Sequence, residues 1–217
     1  MTSKNGVASS IARNDVYLHN LKALQVRDGE LAGHISILDA HSRYITEKTH
    51  NGSITAKIRD QQGTFRYIHS SIDPVEEARE WARHFVLETP AIAVLGFGLG
   101  YHLFALRKRS YSGSIIVIEA DIQLFQSSLL YRELAPSFQD NKVHWFVGKD
   151  LSTLESLLCS IHSDRIAILP FLPVSTLHPE YYETTTGIIH EYLYKKRLLE
   201  NPSLSRDILQ LTECLQH

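Results

Sequence analysis

The sequence predicts an α/β fold built on a parallel sheet. An apolar run over residues 91–95 ends in closely spaced glycines, and a helical pattern begins immediately after them. A second apolar run over residues 114–118 ends in an acid, Glu119. Strands continue to alternate with helices further along, which predicts a parallel sheet with right-handed crossovers. The expected architecture is a Rossmann-like (methyltransferase-like) sheet with helices on both faces, preceded by a small antiparallel β-meander and followed by a helical C-terminal segment.

Residues 1–13 are polar and are expected to form a flexible tail. Residues 14–70 are expected to hold an N-terminal helix and the meander. Asn14 or Asp15 caps a helix that reaches Val26, and the pattern then changes to strands. Asn51-Gly52 is typical of a tight hairpin turn, because both residues tolerate positive φ angles. The strands of the meander are predicted at 43–49, 54–59 and 64–69.

Residues 71–200 are predicted to form the Rossmann-like domain. Its first helix begins at Asp73, a natural N-cap that is followed by Pro74 and, three residues after the cap, by Glu76. Strands are predicted at 91–95, 114–118, 142–147 and 165–169, with helices at 100–109, 121–134, 151–162 and 178 to about 200. Asn201-Pro202 breaks the last helix, and residues 201–217 are expected to form another helix that leads into a further domain.

Composition excludes several classes of protein. The 217 residues carry 22 Lys and Arg against 24 Asp and Glu, so no basic excess indicates nucleic-acid binding. No apolar run approaches the roughly 18 residues of a membrane span, and the N-terminus lacks the apolar core of a secretory signal. The expected location is the cytoplasm, with no membrane association. Two distant cysteines and scattered histidines indicate neither a disulfide framework nor a metal site.

The main candidate site is the glycine turn formed by Gly96, Gly98 and Gly100. Glycines let the backbone approach a ligand, and the following helix N-terminus presents unpaired N–H groups. Glu119, at the end of the next strand, lies where Rossmann folds hold ribose hydroxyls. The pattern therefore predicts binding of a nucleotide, a nucleotide-sugar or S-adenosylmethionine. In the alternative interpretation the turn only packs the strand tightly on the helix, and Glu119 caps the next helix.

Two further residues are candidate ligand contacts. Asp150 follows the third strand, where methyltransferases often hold the adenine amino group, and His102 lies in the first turn of the glycine helix. A histidine there can donate to a phosphate or act as acid or base, although packing against the preceding loop is the commoner role. Val94 replaces the acid that usually precedes the glycines of methyltransferases, which counts against methyl transfer. Residues 107–109 are cations at a helix C-terminus, where they suit the negative end of the dipole. No residue is indicated as catalytic.

Five segments in this order resemble the bacterial motility accessory factor (Maf) family. They are His69-Ser-Ser-Ile-Asp-Pro-Val-Glu-Glu-Ala, Val94-Leu-Gly-Phe-Gly-Leu-Gly-Tyr-His-Leu, Ile116-Val-Ile-Glu-Ala-Asp, Leu169-Pro-Phe and His178-Pro-Glu-Tyr-Tyr. The resemblance implies an N-terminal Rossmann-like module that precedes a sialyltransferase-like domain. The family is linked to the transfer of nonulosonic acids to serines and threonines of flagellin, and an archaeal branch resembles a pterin pyrophosphokinase that uses ATP and magnesium.

The resemblance implies an accessory module associated with a glycosyltransferase. Its expected partners are flagellin or another protein acceptor and a nucleotide-type small molecule, with Gly96, Gly98, Gly100 and Glu119 as contacts. One alternative is a free-standing transferase, either an S-adenosylmethionine-dependent methyltransferase or a nucleotide-dependent pyrophosphokinase. Another is a non-catalytic interaction domain with a vacant Rossmann cleft. A homo-oligomer formed through the meander is also left open.

Overall fold

Four apolar segments form the central parallel sheet of the computed structural model, which describes residues 15–38, 43–59, 63–85 and 88–200. These strands are β4 (Ala91–Leu95), β5 (Ser114–Glu119), β6 (Val143–Val147) and β7 (Ile166–Pro170). β4 is buried at every position, as expected for a parallel strand covered on both faces. The predicted Rossmann-like α/β class is confirmed. The predicted N-terminal tail, the Asn14 cap and the predicted helix within residues 201–217 lie outside the described residues.

The strand order of this sheet is β6-β5-β4-β7. The chain therefore adds strands on one side of β4 and then crosses to place β7 on the other side. This reversal opens a crevice between the carboxyl ends of β4 and β7, which is the place where open α/β sheets bind their ligands. The glycine turn follows β4 directly and so lies at this crevice.

Helices cover both faces of the sheet. Ile92 and Val94 of β4 point into one hydrophobic core, and Ala93 and Leu95 point into the other. The helices that supply the first core are α1 (Asp15–Arg27), α2 (Gly29–Ile37), α4 (Tyr101–Lys108), α5 (Ile122–Tyr131) and α6 (Ala135–Gln139). Those of the second core are α7 (Leu154–Ile161), α8 (Leu172–Ser175) and α9 (Pro179–Glu200). α3 (Pro74–Arg83) supplies Ala82 to the first and Ala78 to the second. Among the described residues, no helix is sufficiently long and apolar to span a bilayer.

The helix ends agree with the sequence where a local cap sets them and differ where a distant residue does. Asp73 caps α3 by accepting from the amides of Val75 and Glu76, as predicted. The helix predicted over 121–134 instead ends at Tyr131, because buried Asn20 of α1 binds the chain that follows. Its amide donates to the carbonyls of Leu129, in the last turn of α5, and of Arg132, and its oxygen accepts from the amides of residues 134 and 135.

Other elements also depart from the predicted pattern, and the short helices α6 and α8 were not predicted. The helix predicted over 151–162 starts as a 3-10 turn (Leu151–Thr153) before α7. α2 was absent from the sequence prediction. Its N-cap is Asp28, whose carboxylate accepts from the amide of Leu31. Two glycines in a helix of nine residues weaken the helical pattern, so the cap was the only clear local indication.

The predicted meander is confirmed as a three-stranded antiparallel sheet. Its strands are β1 (Tyr44–Lys48), β2 (Ile54–Arg59) and β3 (Phe65–Tyr67). Gly52 of the first hairpin turn has a φ of 80°, as the Asn-Gly pattern predicts. The meander is fastened to the main fold by Tyr101, whose hydroxyl donates to the carbonyl of Ile54 at 2.7 Å and accepts from its amide at 3.1 Å. A small sheet of this kind needs such support to be stable.

Candidate functional site

The glycine turn is formed by three residues in the left-handed region, with φ of 92° at Gly96, 58° at Gly98 and 81° at Gly100. The space that their missing side chains leave is taken by the protein itself. A Cβ built on Gly96 would lie 2.8 Å from Cβ of Val174, and one on Gly98 would lie 2.5 Å from Nε2 of His69. Each glycine is thus required by a close approach within the chain.

Glu119 is fully buried and binds the turn directly. Its Oε2 accepts from the amides of Phe97 at 2.8 Å and Gly98 at 3.1 Å. Its Oε1 accepts from the amide of Asp121 at 2.9 Å and from the hydroxyl of Tyr182 at 3.2 Å. Burial raises the pKa of Glu119 to about 7, although the backbone hydrogen bonds oppose the shift. The structure therefore pairs the predicted acid with the amides that were expected to face a ligand.

His69 occupies the next amide of the turn. The amide of Leu99 donates to Nε2 of His69 at 2.9 Å, so the network assigns the proton to Nδ1, which lies 3.1 Å from Oε2 of Glu77. Burial lowers the pKa of His69, and the Glu77 carboxylate only partly opposes this. His69 was quoted in the sequence pattern without a role, and its contact with the turn was not predicted. The amides of residues 97–99 are consequently all bonded within the chain.

His102 lies one turn further on and is packed among aromatic rings. Its ring centroid is 4.0 Å from that of Phe171 and 4.5 Å from that of Trp81. Burial lowers the pKa of His102 well below its ordinary value, so the ring is neutral. Neither of its nitrogens has a hydrogen-bond partner among the described residues. The ring thus packs between α3 and the residue that follows β7.

The segment that follows β7 covers the inner part of the crevice between β4 and β7. The amide of Phe171 donates to the carbonyl of Leu95 at 2.9 Å, and Val174 covers Gly96. The hydroxyl of Tyr182 at the start of α9 accepts from the amide of Ala120 at 3.1 Å while it donates to Glu119. Val174 and Tyr182 therefore cover Gly96 and Glu119 at the inner part of the crevice.

Asp150 lies apart from the glycine turn. It is exposed, and its Oδ1 accepts from the amide of Ser152, which lowers the pKa of the carboxyl. With Lys149 it lines an open cavity of about 430 Å³ beyond β6, where Lys149 donates to Asp28 at 2.6 Å. A second cavity of about 350 Å³ adjoins the ends of β4 and β7. Neither cavity is lined by the three glycines or by Glu119.

A cluster around Asp121 was not predicted by sequence reasoning beyond its position at a helix start. Its Oδ2 accepts from the hydroxyl of Tyr44 at 2.7 Å and from Arg43, and it lies 3.6 Å from Nε2 of His178. Burial raises the pKa of Asp121, but the bonds from Tyr44 and Arg43 outweigh it, and the net shift is downward. Oδ1 caps α5 by accepting from Gln123. The cluster joins β1, α5 and the residue before α9 at the same edge of the sheet.

Comparison with known proteins gives distant similarities. No family model matches the chain. An uncharacterized protein of Treponema pallidum (strain Nichols) is 23% identical over 148 residues, which are 66% of this chain and 49% of that protein. A solved structure, a MAf glycosyltransferase from Magnetospirillum magneticum AMB-1, is 13% identical with a TM-score of 0.49, and the similarity covers 80% of this chain and 35% of that one. The chain thus spans about half the length of the curated relative that it matches.

Replacing Gly98 with alanine is expected to destabilise the fold. The new Cβ would meet His69 at 2.5 Å in a backbone conformation that alanine disfavours, so we expect a loss of roughly 2–4 kcal/mol in the free energy of unfolding. Gly187→Ala is the matched control, because Gly187 lies within α9 and a Cβ there meets nothing within 4 Å. The control should gain about 0.5–1 kcal/mol. Urea unfolding measures both, and an unchanged midpoint for Gly98→Ala would contradict the packing described.

Replacing Glu119 with glutamine is expected to remove a pH-dependent part of the stability. In the folded state the pKa of Glu119 is about 7, above the ordinary 4.5, so the folded protein holds this proton more tightly than the unfolded chain. The stabilisation that protonated Glu119 contributes to the folded state is therefore fully present below pH 4.5 and is lost as pH rises through 7. The free energy of unfolding of the wild type, relative to that of Glu119→Gln, should fall by on the order of 1–3 kcal/mol between pH 4.5 and 8.

Urea unfolding of the two proteins across this range gives the required difference. His69 and His102 titrate in both proteins and cancel in the comparison. A difference in stability that stays constant with pH would show that Glu119 keeps an ordinary pKa.

Proposed function

We propose that this chain is a Rossmann-like module of a protein-glycosylation system, in which the ligand crevice is closed by the protein's own side chains. The module then serves as a scaffold for a protein partner rather than as the catalyst. The observation that carries the proposal is the bonding of buried Glu119 to the amides of Phe97 and Gly98.

A Rossmann nucleotide site needs free amide donors, an accessible carboxylate and an open crevice. In this chain the amides of residues 97–99 are bonded to Glu119 and His69, and the Glu119 side chain has no exposure to solvent. Val174 covers Gly96, and the backbone of Phe171 is bonded to Leu95 at the inner part of the crevice. A ligand that entered here would leave several buried polar groups unpaired, at about 1–3 kcal/mol for each group. This cost favours a scaffold over a nucleotide-binding enzyme.

The link to glycosylation rests on the five segments that resemble the Maf family. In the folded chain, residues of all five segments lie at one edge of the sheet and touch one another, among them His69, Glu119, Phe171 and Tyr182. Because residues of the five segments contact one another in the fold, their joint occurrence supports a module shared with the Maf family. By this resemblance we propose that the module assists the transfer of nonulosonic acids to serines and threonines of flagellin, with the transfer chemistry supplied elsewhere.

Hydrogen exchange read by mass spectrometry tests whether the crevice is closed. The chain is incubated with S-adenosylmethionine, CMP or ATP–magnesium, and peptides that cover residues 95–100 are compared with the ligand-free protein. We expect no added protection in these peptides. Protection there by S-adenosylmethionine would support the methyltransferase alternative and overturn the proposal. Protection by ATP–magnesium at residues 147–153, beside Asp150, would instead favour the pyrophosphokinase alternative.

Binding to purified flagellin tests the scaffold role. Sedimentation velocity of the chain mixed with unglycosylated flagellin should reveal a complex at micromolar concentrations. An unrelated helical protein of similar size is the control and should not co-sediment. The absence of a flagellin complex would remove flagellin as the partner, while leaving the closed crevice to be judged by hydrogen exchange.

A further inference from the structure

A cavity of about 480 Å³ lies on the helical face of the fold, between α3, α4 and the residue that follows α5. Its volume falls in the range of pockets that bind small molecules. It is separate from the crevice between β4 and β7, since its wall contains neither the three glycines nor Glu119. Five cations from three elements line it: Arg79, Arg83, Lys108, Arg109 and Arg132.

The charge of this cavity contrasts with that of the whole chain. The sequence has more acids than bases, yet no carboxylate lines the cavity. Arg79 and Arg83 pair with acids on the exposed side of α3. The other three cations have no carboxylate partner among the described residues. Three of the five cations are therefore not neutralised by a carboxylate among the described residues, which favours an anionic ligand.

Arg132 is held in place by aromatic rings rather than by an acid. Its guanidinium carbon lies 4.0 Å from the ring centroid of Tyr101 and 4.7 Å from that of Phe104. Burial lowers the pKa of Arg132, as expected for a cation with no counter-charge. A guanidinium has five N–H donors in one plane, more than a hydrogen bond with Tyr101 uses, and this geometry suits bidentate binding of phosphate.

The helix dipole explains only part of this arrangement. Of the three cations at the end of α4, Arg107 turns away to pair with Asp140 at 2.7 Å. Arg109 donates to the carbonyl of Phe85 at 2.9 Å, which fixes its guanidinium at the end of α3. The dipole of α4 does not account for Arg132, which is the C-cap of α5 and lines the same cavity.

We propose that this cavity binds a small phosphorylated molecule, a mono- or diphosphate ester with an apolar or planar body. The phosphate lies among Lys108, Arg109 and Arg132. The body lies against the apolar part of the wall, which includes Phe104 and Ala105. This site adds a ligand that the scaffold role does not require, and it is independent of the crevice.

Titration calorimetry with ADP, glucose 1-phosphate, inorganic pyrophosphate and adenosine tests the site. We expect at least one of the two phosphate esters to bind, with affinity that falls as salt is raised, and adenosine not to bind. A stronger response to ADP or to glucose 1-phosphate distinguishes a nucleotide from a sugar phosphate as the source. Pyrophosphate should bind more weakly than the better ester, because it lacks the body.

Two variants locate the binding. Lys108→Gln and Arg132→Gln should each weaken the better ester by about tenfold. Lys108 is exposed, so Lys108→Gln should leave the fold intact. This variant therefore still tests the site if Arg132→Gln disturbs the fold. Lys48→Gln, at an exposed position of β1 outside the cavity wall, is the matched control and should leave affinity unchanged.

Three results would overturn the proposal. They are the absence of binding by both esters, equal binding of ADP and adenosine, and an equal effect of Lys108→Gln and Lys48→Gln. Hydrogen exchange keeps this test separate from that of the crevice, because a ligand here protects residues 101–109 and not the turn at 95–100.

Discussion

The carboxylate of Glu119 is the interaction on which the arrangement of the sheet edge depends. It lies at the end of β5 and accepts four hydrogen bonds, from the glycine turn, from the start of α5 and from α9. Because the group is buried, each of these donors would be left unpaired if the carboxylate turned outward. One side chain thus fixes the turn after β4, the entry to the next helix and the position of the last described helix.

Local pattern predicted most of the framework. The apolar runs, the Asn-Gly turn and the Asp73 cap each placed an element correctly because the information lies within a few residues. The predicted end of α5 was wrong, because Asn20, more than one hundred residues away in the sequence, determines where this helix ends. α2 was missed because Gly29 and Gly33 weaken its helical pattern.

In the candidate site, too, the local pattern was predictable and the contacts from distant residues were not. The sequence places Glu119 opposite the glycine turn whether the carboxylate faces ribose or the turn itself, because the spacing along the chain is the same in both cases. The contacts that decide between them come from His69 and Tyr182, which are 30 and 63 residues from the atoms that they bind. No local pattern contains that information. The cationic cavity is hidden for a similar reason, since its lining comes from α3, α4 and the residue after α5.

The glycines and Glu119 have a consequence for how relatives of this chain are compared. The residues that resemble a cofactor motif are here required by the fold, through left-handed backbone and buried hydrogen bonds. Selection for a stable fold alone would preserve them through evolution, even in a lineage that never bound a nucleotide. An alignment in which they are invariant would therefore report on folding, and variation among the cations of α4 and Arg132 would be the more informative guide to which relatives share a ligand.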